Sequence, residues 1–442
     1  MLKKGNWWLA GILLVLALAP LAVYWYIAGD CPRVSAAEAK EIVWQGDKPG
    51  MLVDVRPAAE YDANHVLGAE NWPTSEIATI EPGDIVLKHF ADKPLFIMSE
   101  SGIDGIRAAR RLRALSMDAV LVEGGMESWM AEARKPCAAA LARGATSEET
   151  LKPFYYRPMA RYEQWAAVVA ALVIKPLYMI TALIAFIALW RRKSADLRAI
   201  RWAVLFFLIG ESACASNFLF FDNSSILTDY IHNVAMPCAF GLAAWAVLEG
   251  MEKRLIGYAS PDGTCTARPL CGDCVRPGDP SCGLQRLFKL AIPAFLVLSL
   301  IPLTVHTRMV SYNTSILGGV YSYSHPMLLQ IQEMRYLPLV AAAFFAESFV
   351  ALVSKKDPVP LSKMLFAVGM GAFGFSMLRT VFFVAWQDNL VWASFWEEAT
   401  ELLFALGVVY TLWVFRRGLY ADLPQAVRLD ITVGATHASP ET

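Results

Sequence analysis

Four cysteines lie close together in one polar stretch of the chain, PDGTCTARPLCGDCVRPGDPSCG. They form the pattern C-x5-C-x2-C-x7-C and are Cys265, Cys271, Cys274 and Cys282. A stretch this rich in Pro, Gly and Asp builds no hydrophobic core, so something else must order it. Four thiolates suit tetrahedral zinc or an iron–sulfur cluster, and the inner pair has ligand spacing for either. The sequence predicts a metal site here, with a loop of reduced thiols or a disulfide pair as the alternative.

Charged side chains also occur inside long apolar segments, where they are costly and for that reason often functional. They are Lys175, Glu211, His232, Glu347, Arg379, Glu397, Glu398 and Glu401. In one interpretation these residues are ion pairs that hold helices together. Lys175 would then pair with Glu211. Arg379 would pair with Glu347 or Glu397.

In the other interpretation most of these residues form a polar pocket open to the outside, which accepts a substrate, a proton or a metal ion. The pocket residues are Glu211, His232, Arg379, Glu397, Glu398 and Glu401. Three carboxylates this close together seldom all stay ionised, so the three glutamates at 397–401 are expected to hold and move protons. Haem between His232 and His306 is not expected, because no second histidine pair would carry electrons across the membrane.

The chain of 442 residues is 56% hydrophobic, with a mean hydropathy of +0.41. Several stretches reach the ~20 apolar residues that cross a bilayer. We predict eight transmembrane helices, at about 7–27, 164–189, 200–221, 230–250, 288–307, 336–354, 363–386 and 393–415. The lipid bilayer is therefore the first expected partner. Nucleic acid is excluded as a partner, since a net charge of −1 leaves no basic footprint.

Lys and Arg concentrate in alternate links between these helices, and such links are usually cytoplasmic. The pattern predicts a multi-pass protein of a bacterial-type inner membrane with both termini in the cytoplasm. Its predicted parts are a transmembrane anchor (1–28), an external domain (29–140), a linker (141–163), an all-α seven-helix membrane domain (164–417) with a cytoplasmic Cys-rich loop (252–287), and a cytoplasmic tail (418–442). A secretory signal is the alternative to the anchor, although its apolar run exceeds the ~7–15 residues of such signals.

Cys31 and Cys137 bracket the external domain. In an oxidising compartment a disulfide between them would tie the start of the domain to its end. Closing a loop of about 100 residues stabilises a fold by up to ~4.7 kcal/mol on the chain-entropy model. Two unpaired thiols are the alternative.

The external domain alternates short apolar runs with a helical pattern. MLVDV (51–55) and PLFIM (94–98) indicate buried strands, and GIRAARRLRAL (105–115) has helical apolar spacing. This alternation predicts an α/β domain with a mostly parallel sheet. Two segments, DVRPAAEYDANHVLGA (54–69) and EGGMESW (123–129), resemble the rhodanese-like domain, and the resemblance spans about residues 34–135.

The resemblance implies where sulfurtransferase chemistry would lie. Active members of the family carry a cysteine after the strand that here ends at Met98, and the following loop arches its N–H groups around that sulfur. This chain has instead the loop Ser99, Glu100, Ser101, Gly102, Ile103 and Asp104. Ser99 cannot hold a persulfide, and two carboxylates would repel an anionic sulfur donor. The resemblance thus predicts a degenerate domain that binds or docks without sulfurtransferase activity.

Three functions fit these features. The leading one is transport, or a transport-accessory role, for a small solute or ion, with a sulfur species suggested only by analogy with the external domain. The second is a membrane redox subunit with a cytoplasmic iron–sulfur cluster at 265–282. The third is a structural or sensing subunit whose rhodanese-like domain docks a periplasmic or membrane protein partner.

Overall fold

An apolar N-terminal helix, an α/β part and a helical region follow one another in this computed structural model of the chain. The structure describes residues 7–29, 31–45, 50–63, 65–66, 68–90, 93–100, 103–130, 132, 157–221, 225–250, 283–305, 309, 312–323, 325–354 and 359–414. The predicted metal site at 265–282 and the predicted tail at 418–442 lie outside these residues, as do Cys137 and His306.

The first helix, α1 (Trp7–Ala28), leads into the α/β part. The strands of that part are β1 (Arg33–Val34), β2 (Met51–Asp54), β3 (Glu70–Asn71), β4 (Leu95–Met98) and β5 (Ala119–Val122). Its helices are α2 (Ala36–Gln45), α3 (Ala58–Ala63), α4 (Thr74–Thr79), α5 (Ile85–Phe90) and α6 (Ile103–Ala114). The strands form one parallel sheet in the order β1-β5-β4-β2-β3, which confirms the predicted α/β fold.

The core of the α/β part lies on both faces of this sheet. Every residue of β4 is buried, because a parallel sheet is covered on both sides and its central strands are apolar throughout. Successive side chains of a strand point to opposite faces. Leu95 and Ile97 accordingly pack in one hydrophobic cluster, and Phe96 and Met98 pack in the other.

The helical region contains ten α-helices within the described residues. They are α7 (Arg161–Val169), α8 (Lys175–Leu189), α9 (Ala195–Phe221), α10 (Ile226–Gly250), α11 (Gly283–Leu298), α12 (Ile301–Thr304), α13 (Met327–Ile331), α14 (Leu337–Ser354), α15 (Val359–Trp386) and α16 (Leu390–Val414). Two π-helical turns, Ala170–Ile174 and Gln332–Tyr336, join α7 to α8 and α13 to α14.

Five helical runs among the described residues are long and apolar enough to cross a membrane. They are Arg161–Leu189, Ala195–Phe221, Ile226–Gly250, Leu328–Ser354 and Leu361–Trp386. The other predicted spans fall on the shorter apolar segments Gly11–Ile27 and Phe288–Thr304, and on α16, which carries three glutamates. The full count of eight spans therefore stays a prediction.

Helix surfaces in this region carry large apolar side chains that no other part of the described chain covers. Ile184, Ile187, Phe220 and Leu403 are each more than half exposed. Soluble monomers rarely expose apolar surface on this scale, whereas lipid tails cover it in a membrane protein. The exposed faces thus agree with the lengths of the helices.

One hairpin departs from the all-α expectation for this region. Strands β6 (Tyr312–Ile316) and β7 (Gly319–Tyr323) pair antiparallel, with Tyr312 opposite Tyr323. The turn residues Leu317 and Gly318 both have positive φ angles, +49° and +89°, as a tight two-residue hairpin turn requires. The hairpin lies in a segment that the sequence predicts only as a link between helices.

Small residues bring α10 and α15 close together. A Cβ atom on Gly371 would collide with the carbonyl oxygen of Pro237 and with the backbone of Gly241. Close backbone approach at glycines is a common way of packing helices in lipid. Ser348 and Ser362 join α14 to α15, since each hydroxyl donates to the backbone carbonyl of the other residue, at 2.7 and 2.9 Å.

Helix α1 contacts the helical region through a backbone group that its own proline leaves free. Pro20 has no N–H for the carbonyl of Leu16, four residues earlier. The Tyr336 hydroxyl donates to that carbonyl at 2.6 Å, and the Tyr230 hydroxyl donates to the next one, of Ala17, at 2.6 Å. Unpaired carbonyls are costly inside a bilayer, so these two bonds fix α1 against its neighbours.

Candidate functional site

Two π-helical turns interrupt the helices that supply the candidate site. The first ends directly before Lys175, and the second contains Glu333. Each is followed two residues later by a proline, which cannot continue the ladder of helical hydrogen bonds. Such turns change the face that nearby side chains occupy and are frequent at functional sites. Lys175 and Glu333 both point into the bundle, where they meet other charged residues.

One connected group of charged residues, together with Tyr178, lies inside the helical region and is here called the charged cluster. It comprises Lys175, Tyr178, Glu211, His232, Glu333, Arg379, Glu397, Glu398 and Glu401. Isolated charges in apolar surroundings are costly, so each needs a counter-charge or hydrogen bonds.

Lys175 makes full use of its ammonium group. Its Nζ donates to Tyr178 Oη at 2.9 Å, to Glu211 Oε2 at 2.8 Å and to Glu398 Oε1 at 2.8 Å. The Tyr178 hydroxyl also contacts Glu211 Oε2 and lies 2.6 Å from Glu398 Oε2. Because an ammonium has three donors and no acceptor, these contacts satisfy it completely. Lys175 therefore holds the two carboxylates together.

Arg379 links three helices at the other side of the cluster. Its Nη1 lies 2.5 Å from Glu397 Oε2, and its Nε lies 3.5 Å from Glu333 Oε1. Its Nη2 is 3.3 Å from His232 Nε2. The guanidinium also lies over the Phe375 ring, 5.0 Å from the centroid, in a cation–π contact.

His232 lies between the two halves of the cluster. Its Nδ1 is 3.3 Å from Glu211 Oε1, and its Nε2 is 3.7 Å from Glu397 Oε1. Since a guanidinium offers only donors, the contact with Arg379 makes Nε2 an acceptor and assigns the ring proton to Nδ1. Within the described part of the chain, neither His232 Nδ1 nor Glu211 Oε1 has a hydrogen-bond partner of good geometry.

Glu333, by contrast, is fully partnered. Its Oε1 accepts from Asn233 Nδ2 at 2.8 Å, and its Oε2 lies 2.9 Å from His325 Nε2. The Ser376 hydroxyl donates to its backbone carbonyl at 2.6 Å. These contacts connect the cluster to the segment that follows the β6–β7 hairpin.

Glu401 is the exception among the glutamates of the cluster. It is only 5% exposed, and its Oε2 has no hydrogen-bond partner among the described residues. Its carboxylate lies within 4.8 Å of ligand atoms of Glu211 and Glu398 in one group, and of His232 and Glu397 in another. A buried carboxylate without a partner needs a proton or a cation.

A cavity of about 170 Å³ lies beside the cluster. The residues that line it include His232, Arg379 and Glu397 from the cluster and Tyr321, Tyr323 and His325 from the hairpin and the segment after it. It has room for several water molecules, and its wall is partly polar. The hairpin therefore lines a small, partly polar cavity next to the charged side chains.

The structure brings seven of the eight charged residues singled out in the sequence into this cluster. Glu347 is the exception, since its side chain is exposed on α14 while the neighbouring Ser348 and Phe344 face inward. Arg379 accordingly pairs with Glu397 and not with Glu347. The helical phase of α14 decides this, and the sequence pattern left both partners open.

Sequence reasoning missed Tyr178, Asn233 and Glu333. Glu333 was missed because the predicted span begins at 336, whereas the helical run begins at Leu328. The polar letters QEMR at 332–335 are typical of a link, and nothing in their spacing indicates a π turn. A tyrosine three residues after an intramembrane lysine is a signal that would have pointed to Tyr178, because the two lie on one helix face.

Ser99, in the α/β part, follows β4 at the carboxyl edge of the sheet. It is 2% exposed, and the backbone N–H of Met126 donates to its carbonyl at 2.8 Å. Gly125 has a φ of +56°, and a Cβ there would collide with the carbonyl oxygen of Ser99. Only glycine permits this approach, so the turn after β5 covers Ser99. Ser101 and Gly102 lie outside the described residues.

The carboxylates of the same loop both lie near arginines. Glu100 Oε2 is 3.2 Å from Arg56 Nη1, and Arg56 Nη2 is 2.6 Å from Asp54 Oδ2. Burial works against the Arg56 charge, but the contacts with Asp54 and Glu100 outweigh it and raise the pKa of Arg56. Asp104 Oδ1 is 3.7 Å from Arg107 Nη1. The acidic charge of the loop is thus partly balanced, which weakens the repulsion expected from the sequence.

Cys31, at the start of the α/β part, is a buried free thiol that packs in the core. Burial raises the pKa of this thiol, despite nearby arginines. The predicted disulfide partner, Cys137, lies outside the described residues, so the disulfide stays a prediction. The four cysteines at 265–282 also lie outside the described residues, so the metal site expected there stays a prediction as well.

Comparison with known proteins identifies the α/β part. The family described as "Rhodanese-like domain" matches residues 35–132. A protein of Bacillus subtilis (strain 168), "Uncharacterized protein YqhL", is 28% identical over 98 residues, which are 22% of this chain and 74% of that protein. This chain also aligns with the crystal structure of SSP1007 from Staphylococcus saprophyticus subsp. saprophyticus at 27% sequence identity. The alignment covers 22% of this chain and 92% of SSP1007, with a TM-score of 0.20.

Residues 35–132 are therefore a rhodanese-like domain, as the sequence motifs predict. The chain joins this domain to a helical region whose five long apolar helices suggest a membrane protein. That helical region contains groups of acidic, histidine and cysteine side chains that could hold a metal ion.

Proposed function

We propose that this protein is a membrane transporter, or a transport-accessory subunit, that binds a proton or another small cation in the charged cluster. One observation carries the proposal: the carboxylates of the cluster outnumber its permanent cations. The carboxylates are Glu211, Glu333, Glu397, Glu398 and Glu401, and the cations are Lys175 and Arg379.

This imbalance is larger than the histidines can correct. Protonation of both His232 and His325 would still leave the cluster with more negative than positive charge. An uncompensated charge inside an apolar bundle costs several kcal/mol, on the order of the whole stability of a domain. The cluster therefore needs exchangeable protons or a bound cation, and Glu401, which has no partner among the described residues, is the side chain best suited to take one.

The position of the cavity supports a route to this site. The cavity touches His232, Arg379 and Glu397 directly, and aromatic side chains of the β6–β7 hairpin form its other wall. The distribution of Lys and Arg favours an external position for the hairpin. A cation would enter from outside past the hairpin and reach the carboxylates through this cavity.

Ion flux into liposomes tests the proposal. Purified full-length protein is reconstituted with an internal pH-sensitive dye, and an imposed gradient of protons or of a metal cation drives uptake. We expect uptake by the wild type and a fall to the level of empty liposomes for Glu401→Gln, which removes the exchangeable charge and breaks no hydrogen bond. Glu249→Gln is the matched control, because Glu249 is a buried glutamate paired with Lys363 at 2.6 Å, away from the cluster.

Equal uptake by wild type and Glu401→Gln would refute the proposed role of the cluster. Loss of uptake in Glu249→Gln as well would mean that any buried charge matters, and would refute it equally.

For the rhodanese-like domain we propose a docking role for a protein partner. The support is that Ser99 lacks sulfur and is covered by the turn after β5. A redox function would need an iron–sulfur cluster at 265–282, outside the described residues. No contact in the described part of the chain favours such a function.

A further inference from the structure

We infer that the charged cluster contains a binding site for a divalent transition-metal ion of the zinc class, with Glu211, Cys214 and His232 as its protein ligands. The inference rests on the proposed function and names the cation that the cluster takes. It concerns a site different from the four cysteines at 265–282.

The three proposed ligands converge from two neighbouring helices. Glu211 and Cys214 are three residues apart on α9 and therefore lie on one face of that helix. His232 extends from α10, which packs against α9. One ligand atom of each residue lies within 4.8 Å of the others.

The atoms that face one another here lack hydrogen bonds. Glu211 is 0% exposed and His232 is 4% exposed, and Glu211 Oε1 and His232 Nδ1 are both unpartnered among the described residues. They are 3.3 Å apart. Two ligands of one tetrahedral zinc ion, each about 2.0 Å from the metal, are separated by about the same distance. An oxygen and a nitrogen that lack hydrogen-bond partners and lie at this spacing are typical of two ligands of one metal ion.

The neighbours of these ligands are arranged to support a metal. Lys175 and Tyr178 hold the second oxygen of Glu211, Oε2, and so leave Oε1 available. When a metal takes His232 Nδ1, the ring proton moves to Nε2, which then no longer accepts from Arg379 Nη2, 3.3 Å away. Glu397 Oε1, at 3.7 Å, is the acceptor within reach of that proton. A carboxylate behind a metal-bound histidine is the usual way of orienting that ligand.

The site keeps one side open. Cys214 and His232 both line the cavity, so a water molecule from the cavity would complete the coordination. A three-ligand site with an open position exchanges its contents, whereas closed four-ligand sites are structural. Glu401, within 4.8 Å of ligand atoms of both Glu211 and His232 in two other groups, is placed to take over the ion.

The mixture of ligands selects the class of ion. One carboxylate, one imidazole and one thiolate suit Zn²⁺ and similar divalent metals, while Mg²⁺ and Ca²⁺ prefer oxygen ligands alone. The two positive charges of such an ion also reduce the negative excess of the cluster. A monovalent ion would make less use of the soft sulfur ligand.

Cobalt absorption tests the site, because Co²⁺ replaces Zn²⁺ and gives a thiolate-to-metal charge-transfer band. The protein is the full-length chain in lipid nanodiscs carrying Cys265→Ser, Cys271→Ser, Cys274→Ser and Cys282→Ser, so that the loop contributes no signal. We expect one Co²⁺ per chain with a thiolate band. Cys214→Ser should remove the band, and Cys238→Ser, in the other cysteine described in the helical region, should leave it unchanged.

Glu397→Gln addresses the support of His232. We expect it to weaken Co²⁺ affinity by about 10- to 100-fold while the thiolate band keeps its position, as loss of an outer carboxylate does. A thiolate band that persists in Cys214→Ser would overturn the inference. So would the absence of Co²⁺ binding by the protein whose four loop cysteines are replaced by serine.

Protection from alkylation provides a second readout on the unmutated chain. Zn²⁺ should slow maleimide labelling of Cys214 and leave labelling of Cys238 unchanged, as measured by mass spectrometry; equal labelling with and without Zn²⁺ would overturn the site. The failures are distinguishable. Proton uptake by liposomes without Co²⁺ binding would refute the metal site and keep the proposed function, whereas Co²⁺ binding without any flux would do the reverse.

Discussion

Two glutamates three residues apart on α16 show how strongly the contacts of a single residue determine its role. Glu398 accepts hydrogen bonds from Lys175 and Tyr178, whereas Glu401, one helical turn further on, has none among the described residues. Both side chains are buried, but only Glu398 has its charge compensated directly by neighbouring donors. Substitution of Glu398 is expected to disturb the packing of the bundle. Substitution of Glu401 is expected to disturb ion binding, which makes it the better probe.

Ser99 carries the prediction for the rhodanese-like domain at this scale. We expect the wild-type protein to transfer no sulfur from thiosulfate to cyanide, because a hydroxyl forms no persulfide and the turn after β5 covers the residue. The measurement is thiocyanate formation by the full-length protein, with an active sulfurtransferase as the positive control. Turnover at an enzymatic rate by the wild type would contradict this prediction.

The sequence allowed the residue types of the cluster to be predicted, but not all of their contacts. Charged residues in apolar segments can be recognised without a structure, and Lys175 does form an ion pair with Glu211. Whether Arg379 pairs with Glu347 or Glu397 depends on the rotation of α14 about its axis. A π turn shortly before that helix changes the rotation by an amount that apolar periodicity does not show.

Prolines determine much of the geometry at the scale of helices. One proline follows each π turn, and Pro20 in α1 frees the carbonyl of Leu16 for the Tyr336 hydroxyl. Tyr336 is also the last residue of the second π turn. The same turn thus directs Glu333 into the cluster and holds α1 in place.

The bond between α1 and Tyr336 gives a prediction at this scale. Tyr336→Phe leaves the Leu16 carbonyl without a donor, and we expect a loss of about 1–3 kcal/mol in the free energy of unfolding. In a Pro20→Ala background the loss should be smaller, since the new N–H at residue 20 bonds that carbonyl within the helix. Thermal or denaturant unfolding in detergent micelles measures both. Equal losses in the two backgrounds would refute the role assigned to Pro20.

At the scale of the whole molecule, the rhodanese-like domain and the helical region meet at α1. Tyr24 and Ile27, at one end of α1, pack against the core of the α/β domain, and Arg110 lies 3.4 Å from the carbonyl of Tyr26. Leu13 and Leu16 pack against α14 and α15. The helix therefore belongs to both parts, as an anchor would.

The orientation of the molecule in the membrane is the prediction that belongs here. Fusions of a phosphatase that is active only in an oxidising compartment should be active after residue 140 and inactive after residue 263. The reason is that Lys and Arg concentrate in alternate links, which are expected to be cytoplasmic. The reverse pattern of activities would overturn the assignment of the rhodanese-like domain to the outside.

The overall architecture was more predictable than the site. Continuous apolar strands and the DVR and EGG motifs are enough to predict a parallel α/β domain, because both are features of the local sequence. The hairpin at 312–323 was not foreseen, since its alternating polar and aromatic residues resemble a membrane-interface link. Contacts between helices far apart in sequence, such as Lys175 with Glu398, depend on packing that no local pattern encodes.

Charge displacement on a solid-supported membrane tests the central claim most directly, because it detects ion binding even where the protein assists another transporter. A jump in pH on adsorbed proteoliposomes should produce a transient current with the wild type and with Glu249→Gln. It should produce none with Glu401→Gln. No current from folded wild-type protein, or an undiminished current from Glu401→Gln, would contradict the account.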